Sequence, residues 1–368
     1  MSTPSFNPVW LQHIRPDVQA MQAYAVQDST GMVKLDAMEN PFSLPAPMQN
    51  ELGLRLGRVA LNRYPGDRVQ DLRQALARYA QMPEGFDIML GNGSDELISL
   101  ISMACVMPGA SFLAPVPGFV MYAMSAQLMG IQFHGVPLAP NFELDEAAML
   151  QAIEQHRPAV VYLAYPNNPT GTLWNAEVIE RIVQTQGKLG GLVVMDEAYQ
   201  PFASQTYMDR LAQHGHVLLM RTLSKFGLAG IRLGYMIAPT ALINEIDKLR
   251  PPYNVSVLNA ECALFALEHT EVFAQQAAVI RTEREALFKA LQQMTGVTPY
   301  ASEANMMVLR FNGEADAANR AFEVLKAHKV LVKNVSKMHP LLANCLRLTI
   351  GTPEENKQLL AALQAALS

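Results

Sequence analysis

Four short runs in this chain are almost wholly apolar, and each is followed by a polar or glycine-rich turn. Ile88-Met89-Leu90 leads into a glycine turn and then an apolar helical pattern from about Asp95. Ala159 to Ala164 is followed by a Pro/Asn turn and a helix from about Asn175; Leu192 to Met195 and His216 to Met220 complete the set. A strand apolar on both faces must be covered on both, so these runs predict a mostly parallel α/β sheet flanked by helices. Ligands of such sheets gather beyond the carboxyl ends of the strands. The polar residues of most interest follow those runs directly.

After Pro251-Pro252 the pattern changes. Helical periodicity runs from about Ser256 to Met294, then come a strand-like Met306 to Phe311, a helix to His328, and strands near Val330 to Lys333 and Cys345 to Ile350. The last helix has a clear start, with Thr352 as its cap, Pro353 in its first position and Glu355 three residues after the cap. Its leucines at 359, 360, 363 and 367 share a face. At 368 residues the chain predicts two domains: 40–255 as a large α/β domain, and 1–39 with 256–368 as a smaller α+β domain.

A net charge of -5 without a Lys/Arg cluster argues against nucleic acid as a partner. Cys105, Cys262 and Cys345 are too scattered for a disulfide framework or a zinc pattern and suit a reducing compartment. The longest apolar stretch, Leu97 to Met107, is too short to span a bilayer. Met1 to Asp17 lacks a basic start followed by an apolar run. The expectation is a soluble, cytoplasmic protein with no membrane partner and no metal.

Chemistry concentrates in six places. In Arg221 to Tyr235, Lys225 stands beside Thr222 and Ser224, with Arg232 seven residues on. A lysine of lowered pKa traps carbonyls, while hydroxyls and a guanidinium suit a phosphate; a loop lysine on the surface is the plain alternative. Gly91 to Glu96 joins a strand to a helix, so Ser94 and Asp95 are either a phosphate cradle or an ordinary capped turn. It is not a dinucleotide fingerprint, because Glu96 stands where the third glycine belongs.

Tyr165 to Gly171 brackets two asparagines with prolines, which fixes a turn. Asn168 could donate from it to a ligand phenolate, or the turn could be purely structural. Asp196 directly follows a buried strand and needs a cationic partner, for which a pyridinium nitrogen is suited; Tyr199 lies about one helical turn on. Phe119 could stack on a planar ring or fill the core. Arg347, flanked by apolar residues, must pair with an anion, from the protein or from a substrate.

Taken together, the P-N-N-P-T-G, D-E-A-Y and T-L-S-K-F-G-L-A-G-I-R-L-G-Y segments resemble those of fold-type I pyridoxal-phosphate aminotransferases of the class I/II group. The resemblance runs from about Glu39 to Gly351. Within the group the chain is most similar to the histidinol-phosphate branch, through Asn62-Arg63-Tyr64-Pro65, Gly93 to Glu96, the Tyr199 segment and Asn344 to Gly351. The resemblance implies a seven-stranded, mostly parallel sheet in the large domain, pyridoxal 5'-phosphate as cofactor, and ping-pong transfer through a Schiff base on Lys225. It implies histidinol phosphate and 2-oxoglutarate as substrates in histidine biosynthesis.

By the same resemblance, Asp196 would hold the pyridinium, and Asn168 and Tyr199 the ring oxygen. Ser94, Asp95, Thr222, Ser224 and Arg232 would bind the phosphate. Tyr64 would reach the cofactor of a homodimeric partner. Arg347 would hold the substrate's anionic tail. Phe119 stands where the family usually has Tyr, Met38 departs from a usual Asn, and Lys333 occupies the place of a second arginine. Rival expectations are an aromatic or broad-specificity aminotransferase, a phospho-amino-acid decarboxylase, and a non-enzymatic cofactor-binding regulator.

Overall fold

The structure, a computed structural model, describes residues 8–21 and 27–367. Its contacts form two units, Met1–Gly31 and Met32–Ser368. Among its described residues, the first unit has a 3-10 turn, Pro8–His13, and one short helix, Pro16–Gln19.

The second unit holds two sheets. Its strands in chain order are β1 (Val33–Leu35), β2 (Phe86–Gly91), β3 (Ser111–Val116), β4 (Gln132–Pro137), β5 (Val160–Ala164), β6 (Leu192–Asp196), β7 (Val217–Thr222), β8 (Gly234–Pro239), β9 (Val297–Pro299), β10 (Met306–Phe311), β11 (Val330–Asn334) and β12 (Cys345–Thr349). The larger sheet has seven strands in the order β2-β8-β7-β6-β5-β3-β4. Only β8 runs against its neighbours; the other pairings are parallel.

Successive residues of β5 enter opposite layers, which explains why the run is apolar throughout. Val160, Tyr162 and Ala164 pack with Leu97, Ile101 and Ile243 on one face, while Val161 and Leu163 pack with Leu76, Ile153 and Ile182 on the other. Helices Ser94–Cys105 and Thr240–Asp247 therefore cover one side. Asp67–Ala80, Glu146–His156 and Ala176–Lys188 cover the other. The helix expected from about Asn175 is capped by that residue, whose side chain accepts the N–H groups of Glu177 and Val178.

The second sheet has five strands in the order β1-β11-β12-β10-β9, with β1 parallel to β11 and the rest antiparallel. Helices Thr270–Gln292, Ala317–Ala327 and Pro353–Leu367 bury its core. The last helix starts with a reciprocal cap: Glu355 N–H donates to Thr352 Oγ1 at 3.2 Å and Thr352 N–H to Glu355 Oε2 at 2.8 Å. The periodicity from about Ser256 to Met294 is two helices rather than one. Val257–Glu268 ends at His269 and joins the larger sheet's core through Ala260 and Ala263. Among the described residues, no helix is long and apolar enough to cross a membrane.

Candidate active site

Asp196 closes β6 and Thr222 closes β7, and both open onto one cavity of about 400 Å³ at the carboxyl rim of the larger sheet. Ser94, Asp95, Phe119, Asn168, Asp196, Tyr199, Thr222, Ser224, Lys225 and Arg232 all line it. Residues spread over more than a third of the chain thus meet where a parallel sheet delivers its strand ends.

Lys225 sits in a single wide turn, Ser224–Leu228, broken by Gly227 at φ 139°. A Cβ at Gly227 would stand 2.8 Å from the Phe273 ring, so only glycine fits there. The Lys225 amine donates to Ala37 O at 3.0 Å. Burial lowers its pKa to about 8, the Arg347 and Arg232 guanidiniums push the same way, and Glu39 opposes them. A neutral amine is thereby accessible near physiological pH, as a carbonyl-trapping nucleophile requires.

Beside it lies a cationic cradle. Gly91 and Gly234 pair across β2 and β8, and a Cβ on Gly234 would come within 2.8 Å of Gly93 C. Gly93 has φ 85°, and a Cβ there would lie 2.8 Å from Arg232 Nη2. The missing side chains let the Arg232 guanidinium lie against the turn that starts helix Ser94–Cys105. Arg232 reaches Ser224 Oγ and Asp95 Oδ2, each at 3.5 Å, and Thr222 Oγ1 donates to Ser224 Oγ at 3.0 Å. Helix N–H groups, hydroxyls and a guanidinium around one space form an anion site.

Asp196 is 4% exposed, and burial raises its carboxyl to a pKa of about 6. Two donors restrain that rise: Tyr122 OH reaches Oδ2 at 2.7 Å and Ala198 N–H reaches Oδ1 at 3.0 Å. Across the cavity, Asn168 Nδ2 donates to Tyr199 OH at 3.0 Å, and burial holds the Tyr199 phenol well above its usual pKa. The Asn168 amide oxygen accepts from Arg347 Nη1 at 2.9 Å, while Arg347 Nη2 donates to Asp36 O at 2.8 Å. Phe119 meets the edge of Tyr122 at 5.6 Å.

Three expected residues do not line this cavity. Arg347 touches it through Asn168. Lys333 is the cross-strand partner of Arg347 in β11 and β12, which points both side chains to one face of the five-stranded sheet. Tyr64 is 78% exposed, stacks on Tyr253 at 4.5 Å, and lines a separate groove with Arg55, Arg58 and Arg63. Sequence reasoning passed over Tyr122, because an aromatic in an apolar helix reads as core. It also missed the buried ion pair of Glu197 and Arg221, whose Nη2 to Oε2 distance is 2.8 Å.

Residues 30–363 match the class I and II aminotransferase family. The chain is 67% identical over 363 residues to histidinol-phosphate aminotransferase of Polaromonas naphthalenivorans, covering 99% of this chain and 98% of that one. It is 65% identical over 365 residues to that of Methylibium petroleiphilum, covering 99% and 97%. Among solved structures, it is similar to histidinol-phosphate aminotransferase of Sinorhizobium meliloti in complex with pyridoxal-5'-phosphate, with a TM-score of 0.84, 24% identity and 96% of each chain covered. A putative aminotransferase of Burkholderia pseudomallei aligns with a TM-score of 0.78 at 27% identity, over 93% of this chain and 100% of that one. The fold is that of the fold-type I transferases.

Proposed function

Because the chain belongs to the class I and II aminotransferase family, we propose that it is a histidinol-phosphate transaminase of histidine biosynthesis. It exchanges an amino group between L-histidinol phosphate with 2-oxoglutarate and imidazole acetol phosphate with L-glutamate. One observation carries this reading beyond the family: two guanidiniums stand at different places about the cavity, Arg232 on the glycine turn and Arg347 on the Asn168 amide, in a chain 67% identical to a histidinol-phosphate aminotransferase. One suits a cofactor phosphate. The other, with Lys333 opposite it, suits a phosphate or carboxylate on the amino donor, and one guanidinium fork accepts either. The test is a half-reaction in which histidinol phosphate, then phenylalanine, is added to the loaded enzyme and the cofactor absorbance is followed. A higher kcat/KM for phenylalanine overturns the substrate assignment.

The residues present fit pyridoxal 5'-phosphate. A buried carboxylate calls for a cation, the space over Gly93 holds Arg232 rather than a Cβ, and the neighbouring amine has a lowered pKa. Asp196 would hold the ring nitrogen, Asn168 and Tyr199 the ring oxygen, and Phe119 a ring face. Ser94, Asp95, Thr222, Ser224 and Arg232 would hold the phosphate. When bound, the cofactor supplies an electron sink for charge developing at the substrate's α-carbon. Lys225 would anchor it covalently, then take and return the α-proton.

We also propose a homodimer in which Tyr64 serves the partner's site; the large exposure of Tyr64 and of Tyr253, stacked on it, supports this. Two sheets that share no strand support a division into a large domain over 40–255 and a smaller one over 1–39 with 256–368, while helix Val257–Glu268 packs in the larger sheet's core and draws that boundary toward His269. Free Cys105, Cys262 and Cys345 suit the cytoplasm.

A further inference from the structure

We propose that Tyr122 is a positioning residue that fixes Asp196 as an anion aimed at the cofactor's ring nitrogen, an inference that rests on Asp196 holding that nitrogen. Asp196 Oδ1 takes the Ala198 N–H and Oδ2 takes the Tyr122 hydroxyl. With one donor on each oxygen, the carboxylate cannot rotate about its Cβ–Cγ bond without losing one, yet each oxygen keeps acceptor capacity for a ligand.

The phenol is itself immobilised. Tyr122 lies in helix Met121–Leu128, is 2% exposed, and stacks on the Tyr162 ring at 4.4 Å and 13°. Phe119 closes its edge. Burial and the facing Asp95 and Glu197 all push Asp196 toward its neutral form, and the Tyr122 hydrogen bond is the largest influence against them. Burial and the adjoining carboxylate hold the phenol's own pKa well above its usual value, so Tyr122 stays protonated and keeps donating. A neutral Asp196 would lose its attraction for a cationic ring nitrogen.

The test uses apoprotein and pyridoxamine 5'-phosphate, a probe that does not bond to Lys225, with its dissociation constant measured by calorimetry from pH 5.5 to 8.5. In the native protein, binding should weaken as pH falls through about 6. Tyr122→Phe should weaken binding at pH 7 by about tenfold or more, the loss expected on removing a hydrogen bond to a charged group. Its pH midpoint should move upward. Tyr162→Phe, which trims the stacked neighbour, should bind as the native chain does. Equal losses in the two variants would assign Tyr122 a packing role and overturn the proposal.

Asp196→Asn separates the premise from the inference. A loss in Asp196→Asn with native binding in Tyr122→Phe overturns the Tyr122 assignment alone; native binding in Asp196→Asn overturns both. Should Tyr122→Phe not fold, 3-fluorotyrosine installed at position 122 keeps the ring and makes the phenol a stronger donor. It should move the midpoint downward, and an unmoved midpoint counts against the proposal.

Discussion

Arg347 and Asn168 are joined by a hydrogen bond of 2.9 Å that ties β12 of the five-stranded sheet to the turn after β5 of the seven-stranded one. The Asn168 amide passes the contact on to Tyr199 at 3.0 Å. A substrate anion on Arg347 would therefore be felt by two groups proposed to orient the cofactor, which couples substrate occupancy to ring orientation through a single amide.

Replacing Arg347 by Ala should remove on the order of 2–5 kcal/mol from kcat/KM, by analogy with breaking a buried charge pair. The absorbance of the bound cofactor should persist. Steady-state kinetics with histidinol phosphate and with glutamate check this, and a native KM for both would take Arg347 out of substrate binding.

Lys225→Ala should abolish the Schiff-base absorbance of the loaded enzyme, because among the described residues no other lysine lines the cavity. Borohydride followed by peptide mapping offers a second readout in the native protein, where the label belongs on Lys225. An unchanged spectrum in the variant would place the covalent bond elsewhere.

The lowered pKa of Lys225 also has a stability signature. Its folded value of about 8 lies below the ordinary lysine value of 10.5, so between those limits the unfolded chain binds more protons. Stability of the apoprotein therefore rises with pH across that window. Lys225→Met should melt higher than the native apoprotein at pH 7, and the gap should close as pH climbs from 8 toward 10.5. Thermal melts at matched ionic strength decide it; a gap independent of pH would mean the amine titrates normally.

Gly93→Ala tests the cradle. The added Cβ meets Arg232 Nη2 at 2.8 Å from a backbone at φ 85°. The guanidinium must move, and a strained backbone adds about 1–3 kcal/mol. Cofactor affinity should fall with it, and phosphate should compete less well for the apoprotein. Native affinity would show that Arg232 can leave that position without consequence.

Mixing subunits tests the shared site. Tyr64→Ala and Lys225→Ala should each be nearly inactive alone. Hybrids of the two should regain activity, because one site then combines an intact Lys225 with an intact Tyr64. Absence of complementation, in a mixture whose dimers exchange, would leave Tyr64 outside the site.

Much of the cavity was legible in the sequence because its residues follow strands that are apolar on both faces. β5, β6, β7 and β10 stand within a residue or two of their expected positions. The edge strand β4 escaped notice because Gln132 and Pro137 are exposed and its run mixes polar with apolar residues. β8 was hidden in a glycine-rich stretch that reads as a phosphate loop. The break at His269 has no proline or glycine to announce it, and the two flanking helices are told apart only by which sheet each covers. Tyr122 could not be found at all, since its function depends on a carboxylate 74 positions away.

The reversed strand β8 has one more effect. In an all-parallel sheet, the chain leaving β7 would descend through a helix to the opposite rim before its next strand began. Here Leu223 N–H bonds back to Leu233 O at 2.9 Å, and the chain enters β8 from the rim it has just reached. The amine of Lys225 and the guanidinium of Arg232 are thus carried on one short arch pinned at both feet. A graft of that arch would move both groups together, whereas an insertion anywhere in it would change the distance between them.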